Sequence, residues 1–285
     1  KLVYTHMLNN RGGIETDITV NRLAEEQFLI ISSATIHPRD KAWIERHIGG
    51  DQNVTLSDVT SGYTVLSLQG PRSRDILSQV SDAGLSNEEF PFATSQEIDL
   101  GYARVIANRL TYVGELGWEL HIPAEFAQDV CDAVIGAGAD AGLKPAGYHA
   151  LEHLRSERAY REYELDLTPE DTPLEAGLGF TVKLDKPGGF IGRDALMRQK
   201  EAGPLTKRLV MFKLRDPEPV LFHEEIIRRD GDIVGYISSG AYGFTLGASV
   251  GMGYVNHAGG ITKDFVESGD WEIEIACERH PAVAS

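Results

Sequence analysis

The stretch that follows Gly203-Pro204 constrains the fold most strongly, because helical periodicity almost disappears there. Short runs that alternate like β-strands follow one another at close spacing, with turn residues between them: RLVMFKL, EEIIRR, DIVGYISSG, SVGMGYV and WEIEIAC. Asp230-Gly231 separates two of these runs and is typical of a β-hairpin turn. We therefore predict a small all-β, barrel-like domain over residues 205–285.

The sequence before that point mixes strands and helices and predicts an α+β domain over residues 1–204. Alternating apolar residues predict strands at 2–8, 14–22, 28–33, 54–59 and 63–68, and further strands within 96–121 with breaks at Asn108 and from Gly114 to Gly117. Helical spacing, with Pro38 as a first-turn residue, predicts helices at 38–47, 72–80, 124–135, 146–160 and 193–201.

The charge of the chain excludes two classes of partner. The 285 residues include 43 acidic and 27 basic side chains, so the net charge is −16. This charge repels a phosphate backbone and anionic lipid, and we expect neither nucleic acid nor a membrane surface as a partner. The two cysteines indicate reduced thiols in the cytoplasm, or in the mitochondrial matrix of a eukaryote. Because Lys1 opens directly onto a predicted strand, we expect a fragment or a processed product.

Two motifs resemble cofactor or metal sites. GAGADAG at 136–142 follows a helix instead of a strand, so we interpret it as a helix C-terminus and expect no NAD, FAD or ATP on this chain. HALEH places His149 and His153 one helical turn apart beside Glu152, which is the spacing of one class of zinc peptidases. No third ligand is evident in the sequence, and we predict that no metal is bound.

Three further segments carry polar or aromatic residues that suit a binding pocket. In NNRGGIETDITVNRL a double glycine leads into a strand with Asp17 at its centre, which is either an acid on a solvated face or a functional group. Glu119 in TYVGELGWEL alternates with large apolar residues, and its carboxylate is either solvent-exposed or placed at a pocket edge to accept N–H bonds from a planar heterocycle. Aromatic residues between 157 and 180 are either core packing or the wall of a pocket for a flat ligand.

Taken together, these segments resemble the aminomethyltransferase (glycine-cleavage T-protein) family. The similarity is greatest to the folate-binding C-terminal half of dimethylglycine and sarcosine dehydrogenases and oxidases. It covers essentially the whole chain in order, through NNRGGIETDITV, QGP, VGELGWEL, KPAGYHALEHLRSE, TPLEAGLGFTVKLDKPGGFIGRDAL and GYISSGAYGFTLGASVGMGYV. The resemblance implies a T-protein-like folate domain that lacks the family's first segment here, followed by the C-terminal barrel.

The resemblance also implies roles for individual residues. Asp17 matches the aspartate that the family strand delivers to the reactive nitrogens of the folate, and Tyr4 matches the tyrosine beside the folate. Tyr112 and Glu119 match residues that stack on or grip the pterin, with Glu119 pairing with its ring N–H groups. Three aromatic residues fall at positions that line the pocket, namely Tyr160, Tyr163 and Phe180.

The implied chemistry is the capture of one carbon by tetrahydrofolate. An upstream flavin domain, which would hold the FAD, oxidises an N-methyl amine to an iminium, and the bound folate takes up the carbon as 5,10-methylenetetrahydrofolate. A free-standing aminomethyltransferase or another folate-dependent demethylase is an alternative, and a non-catalytic folate-binding module is a third. Four positions depart from the free-standing transferases and weaken the match to their aminomethyl-lipoyl substrate: Asn21, Ser32, Leu151 and Glu164.

Overall fold

The computed structural model describes residues 1–50 and 52–285. Helices and antiparallel sheets are mixed in the first part of the chain and a closed six-stranded β-barrel follows, so the predicted fold class is confirmed. The residues group into two compact units, each built from two stretches of chain. Unit 1 comprises Lys1–Val3 and Thr19–Gly147, and unit 2 comprises Tyr4–Ile18 and Tyr148–Ser285.

A three-stranded sheet opens the chain in the order β1 (Leu2–Leu8), β2 (Ile14–Arg22) and β3 (Phe28–Ile31). Its strands agree with the predicted ranges, except that β3 ends two residues earlier. The strand predicted at 54–59 is wrong, because those residues form no regular structure. Val54 and Val59 are exposed there, so the apolar alternation of this segment has no buried face to support a strand.

Unit 1 holds a second, antiparallel sheet in the order β4 (Tyr63–Gln69), β7 (Gly117–Pro123), β6 (Ala103–Arg109) and β5 (Thr94–Leu100). Its buried face packs around Trp118, Phe90 and Leu120. The break predicted at Asn108 lies two residues later, because β6 runs through this buried residue to Arg109, and the turn at 101–102 was not predicted.

The helices lie close to their predicted positions, although several are shorter. The glycine-rich stretch 136–142 closes a helix, as interpreted from the sequence. The helices of the first part of the chain are α1 (His37–His47), α2 (Ser73–Leu77), α3 (Ala127–Gly138), α4 (Tyr148–Glu157) and α5 (Arg193–Glu201).

The C-terminal barrel surrounds a core that contains Phe212, Ile237 and Trp271. Its strands close in the order β10 (Asp232–Gly243), β11 (Ala248–Asn256), β8 (Lys207–Leu214), β13 (Glu278–Ala284), β12 (Trp271–Ile275) and β9 (Ile226–Arg229). The predicted hairpin at Asp230-Gly231 is present, since Asp232 pairs with Arg229 across it. Two elements were not predicted, α6 (Lys263–Glu267) and β13.

Candidate functional site

The double glycine before β2 sets the start of the strand that carries Asp17. The side-chain oxygen of Asn9 accepts hydrogen bonds from the backbone N–H groups of Arg11 and Gly13, at 2.9 and 3.0 Å. Gly12 has φ +83°, which disfavours any residue with a Cβ. A Cβ on Gly13 would lie 1.9 Å from the carbonyl oxygen of Pro169, so this position also requires glycine.

The structure brings Asp17 and Tyr4 together within unit 2. The hydroxyl of Tyr4 on β1 donates a hydrogen bond to Oδ2 of Asp17 on β2, at 3.0 Å. Asp17 is half-buried, and its neighbour Thr16 is fully buried on the opposite face of the strand. Asp17 is therefore held by a specific contact on a partly enclosed face.

His6, which sequence reasoning did not single out, lies beside this pair. Its ring meets that of Tyr4 edge-on, with centroids 5.3 Å apart, and its Nδ1 lies 3.1 Å from Oγ1 of Thr181. Thr181 donates its hydroxyl hydrogen to the carbonyl of Leu178, so His6 Nδ1 carries the proton of their shared bond. Burial lowers the pKa of His6 to about 4, which leaves the ring uncharged at neutral pH.

The predicted aromatic residues of unit 2 differ in exposure. Tyr163 is buried, Tyr160 is half-buried and Phe180 is 79% exposed. Arg161 lies between the two tyrosines in the chain and donates hydrogen bonds to the carbonyls of Ala159 and Ala176, at 2.5 and 3.0 Å. Burial lowers the pKa of this guanidinium, and the phenol of Tyr4 is among the groups that oppose the shift. Pocket-lining roles for the three aromatic residues stay predictions.

Glu164, one of the departures from the free-standing transferases that the resemblance implies, has a left-handed backbone with φ +76°. An L-residue with a side chain pays roughly 1–2 kcal/mol in this conformation, although glycine costs more entropy on folding. We expect Glu164→Gly to raise the free energy of unfolding by up to about 1 kcal/mol. Chemical denaturation measures this difference. The matched control is Glu170→Gly, because Glu170 is also exposed and has no positive φ, and a gain of equal size in the control would contradict the explanation.

Glu119 is the central polar side chain of the candidate site in unit 1. It lies on β7 between Ser67 of β4 and Asn108 of β6, and 22% of its side chain is exposed. Nε2 of His121 lies 4.0 Å from Oε2 of Glu119. Burial raises the pKa of Glu119 to about 7. Tyr112, its predicted partner, is half-buried in the loop that joins β6 to β7.

A buried chain of hydrogen bonds leads to the neighbourhood of Glu119. Nδ2 of Asn21 donates to Oδ1 of Asn108 at 2.7 Å, and Nδ2 of Asn108 lies 3.0 Å from Nε2 of His121. Both asparagines are fully buried, and His121 is 3% exposed. Sequence reasoning missed this hydrogen-bond chain. The one available signal was that His121 follows Glu119 by two residues, so both side chains share a strand face.

The HALEH motif is used for packing within unit 2. His153 donates from Nδ1 to the carbonyl of Tyr242 at 2.8 Å, and Glu152 accepts two bonds from the guanidinium of Arg155. Arg155 is fully buried and also pairs with Asp166 at 3.0 Å. Within residues 1–50 and 52–285, no cluster of three or more His, Cys, Asp or Glu side chains is arranged to hold a metal ion.

We therefore expect the purified chain to contain no stoichiometric zinc, because Glu152 and His153 are committed to protein partners and the exposed His149 is left as a lone candidate ligand. Elemental analysis of the dialysed protein measures the metal content directly. The control is the His149→Ala variant, which should give the same background value. One zinc per chain that is lost in this variant would contradict the prediction.

Among the residues that the structure describes, no helix is long and apolar enough to cross a membrane.

Comparison with known proteins gives matches along the whole chain. Residues 1–186 match the model of the GCVT N-terminal domain, and residues 207–285 match that of the glycine cleavage T-protein C-terminal barrel domain. Mitochondrial sarcosine dehydrogenase of Homo sapiens is 41% identical over 95% of this chain and 31% of its own length. The mitochondrial pyruvate dehydrogenase phosphatase regulatory subunit of Mus musculus is 39% identical over 99% of the chain and 34% of its own length. The chain thus spans about a third of these relatives.

Among solved structures, the glycine cleavage system aminomethyltransferase T of Bartonella henselae superimposes with a TM-score of 0.82. The match covers 99% of this chain and 74% of that protein, at 26% sequence identity.

Proposed function

Because the chain belongs to the glycine cleavage T-protein (aminomethyltransferase) family, we propose that it binds tetrahydrofolate and transfers a one-carbon unit to it. The carbon arrives as the iminium derived from an N-methyl amine and leaves as 5,10-methylenetetrahydrofolate. The chain acts as the C-terminal part of a flavin-dependent enzyme of the dimethylglycine or sarcosine dehydrogenase type, with FAD in an upstream domain. The observation that supports this most is the similarity to human sarcosine dehydrogenase along 95% of the chain.

The surroundings of Glu119 fit the edge of a pterin. Its neighbours across the sheet, Ser67 and Asn108, are uncharged, and burial keeps His121 uncharged as well by lowering its pKa to about 4. A carboxylate in such a setting suits an uncharged ligand that offers paired N–H groups. Glu119 would bind and orient the pterin in this way, while Tyr112 would stack on it.

Asp17 would act on the reacting atoms. Tetrahydrofolate supplies two nucleophilic nitrogens when it is bound, and holding them beside the incoming electrophile is the main catalytic effect. The carboxylate of Asp17 would stabilise the cationic centre and accept the proton that a folate nitrogen loses when it bonds to the carbon. When the second folate nitrogen bonds to the same carbon, the bond from that carbon to the amine nitrogen breaks, and the demethylated amine leaves with the two protons that the folate nitrogens have lost. The hydrogen bond from Tyr4 fixes the orientation of this carboxylate. The capture itself is redox-neutral, since the amine has already lost two electrons to the flavin.

The test uses the full-length parent protein with sarcosine and with dimethylglycine, each in the presence and absence of tetrahydrofolate. We expect 5,10-methylenetetrahydrofolate to appear and free formaldehyde to fall by the same amount when the folate is added. A formaldehyde yield that does not respond to tetrahydrofolate would contradict the proposal. Omitting the amine controls for carbon from other sources.

A second candidate function follows from the mouse relative, whose name is that of a regulatory subunit. In this alternative the chain is a folate-binding or regulatory module without chemistry. The two candidates differ in one measurable respect. Folate binding that is accompanied by no one-carbon transfer, and by no effect of Asp17 substitution on any product, would favour the regulatory module.

A third candidate is a free-standing aminomethyltransferase, and it is favoured by the structural match to aminomethyltransferase T. This candidate predicts transfer from an aminomethyl-lipoyl donor without a flavin. The resemblance implies departures from the free-standing enzymes at Asn21, Ser32, Leu151 and Glu164, and these argue against this candidate. Activity with that donor and none with N-methyl amines would select it.

A further inference from the structure

The hydrogen-bond chain from Asn21 to His121 defines which nitrogen of the imidazole carries a proton. Nδ2 of Asn108 is a donor only, and it lies 3.0 Å from Nε2 of His121, so Nε2 must accept. In the same arrangement of amides, Nδ2 of Asn21 donates to Oδ1 of Asn108 at 2.7 Å. His121 is therefore the uncharged Nδ1–H tautomer, with its Nε2 lone pair directed at Asn108.

Within the residues that the structure describes, this tautomer leaves Glu119 without a cationic partner in its immediate surroundings. The groups that face Glu119 are Ser67 from β4, Asn108 from β6 and His121 from β7 itself. His121 is the single titratable group with a close approach to Glu119 recorded among the described residues, and it has no proton on Nε2 to share. No positive charge offsets the loss of water around the Glu119 carboxylate, in agreement with a pKa of about 7 for this group.

We propose that Asn21, Asn108 and His121 act as positioning residues that keep an uncharged imidazole beside Glu119, so that the free protein holds Glu119 protonated near neutral pH and releases this proton when a pterin edge binds. The O–H bond of the carboxyl group breaks, the proton passes to solvent, and both carboxylate oxygens become acceptors for the ligand. This inference rests on the proposed function, since it requires a folate at Glu119.

The sign of the pH dependence follows from this exchange. Only the ionised form of Glu119 accepts two N–H bonds, so lowering the pH below the pKa of about 7 makes binding compete with protonation. For a single group of that pKa, affinity should be about tenfold weaker at pH 6 than at pH 8. Binding should release about 0.9 proton at pH 6 and almost none at pH 8.5.

The experiment is isothermal titration calorimetry of the 285-residue chain with 5-formyltetrahydrofolate, a chemically stable reduced folate. Repeating each titration in buffers of different ionisation enthalpy counts the protons released. The Glu119→Gln variant measures the number of protons that the ligand and all other groups release. We expect this variant to bind weakly and to release no proton at pH 6. Thermal melting confirms that each variant is folded.

Three further variants test the role of the hydrogen-bond chain from Asn21 to His121. In Asn108→Leu the donor to His121 is lost, so Nε2 can take up a proton and pair with Glu119, and the midpoint of the pH dependence should fall by about one unit. His121→Met has no ionisable ring and should keep the midpoint near pH 7. The Asn108→Leu/His121→Met double variant should return the midpoint to about 7, which a general loss of structure would not do.

The outcomes separate this inference from the proposed function. Folate binding with no proton released at pH 6 overturns the inference and leaves the proposed function standing. An unchanged midpoint in a folded Asn108→Leu variant overturns the role of the hydrogen-bond chain. If Asn108→Leu does not fold, the comparison of the wild type with Glu119→Gln still decides whether Glu119 releases the proton. Failure to bind the folate at any pH contradicts the proposed function itself.

Discussion

Glu119→Ala is expected to weaken the binding of a reduced folate by roughly ten- to a hundredfold or more. A hydrogen bond to a charged group contributes about 1.5–3 kcal/mol, and each 1.4 kcal/mol is a factor of about ten in the dissociation constant. The truncation also leaves the N–H groups of the pterin without acceptors in a site that is mostly enclosed. Titration above pH 8, where wild-type Glu119 is ionised, shows the full effect.

The matched control is Glu97→Ala in the same unit. Glu97 lies on β5, pairs with Arg104 and is 57% exposed, so its loss should leave folate affinity unchanged. Unchanged affinity in a folded Glu119→Ala protein would count decisively against the site. Equal losses in both variants would indicate a nonspecific effect on unit 1.

Asp17→Asn is expected to lower one-carbon transfer in the full-length enzyme by about two orders of magnitude, the usual scale for a positioned acid–base or charge-stabilising group. The change keeps the shape and one hydrogen-bonding oxygen but removes the charge and most of the basicity. Folate affinity should change little, because the proposal assigns most of the binding to Glu119 and the aromatic residues. Amine oxidation should continue, so free formaldehyde should accumulate in place of 5,10-methylenetetrahydrofolate.

Assaying both products in parallel separates the chemical step from binding. Asp99→Asn, an exposed aspartate on β5, is the control and should behave like the wild type. A full yield of 5,10-methylenetetrahydrofolate from Asp17→Asn would return Asp17 to the ordinary role of an acid on a strand face.

Tyr4→Phe should give an intermediate loss of one-carbon transfer, because it removes the hydroxyl that orients the Asp17 carboxylate and keeps the ring.

The parts of the fold that follow from local pattern were predictable. Alternation places Ile14, Thr16 and Ile18 on the buried face of β2, and the Asp230-Gly231 turn specifies a two-residue hairpin. The segment 54–59 has the same alternation, but no strand forms there. Alternation alone does not reveal whether a partner strand and a buried face exist, since both depend on distant parts of the chain.

The candidate site also has parts that the sequence implies and parts that only the structure shows. Family resemblance implies roles for Asp17, Tyr4 and Glu119, which stay predictions, and the structure adds the hydrogen bond from Tyr4 to Asp17. Asn108 lies inside β6, one residue before its end, where tertiary hydrogen bonds hold its side chain. Its partner Asn21 is 87 residues away, and no local pattern reports a contact of that range.

The most direct test of the central claim is a crystal structure of this chain in complex with a reduced folate. The account predicts one folate per chain, with N–H groups of the pterin within about 3 Å of the Glu119 carboxylate oxygens. Growing or soaking the crystals above pH 8 keeps Glu119 in its ionised, binding form. A pterin bound away from Glu119, or crystals that remain without folate at saturating concentration, would contradict the account.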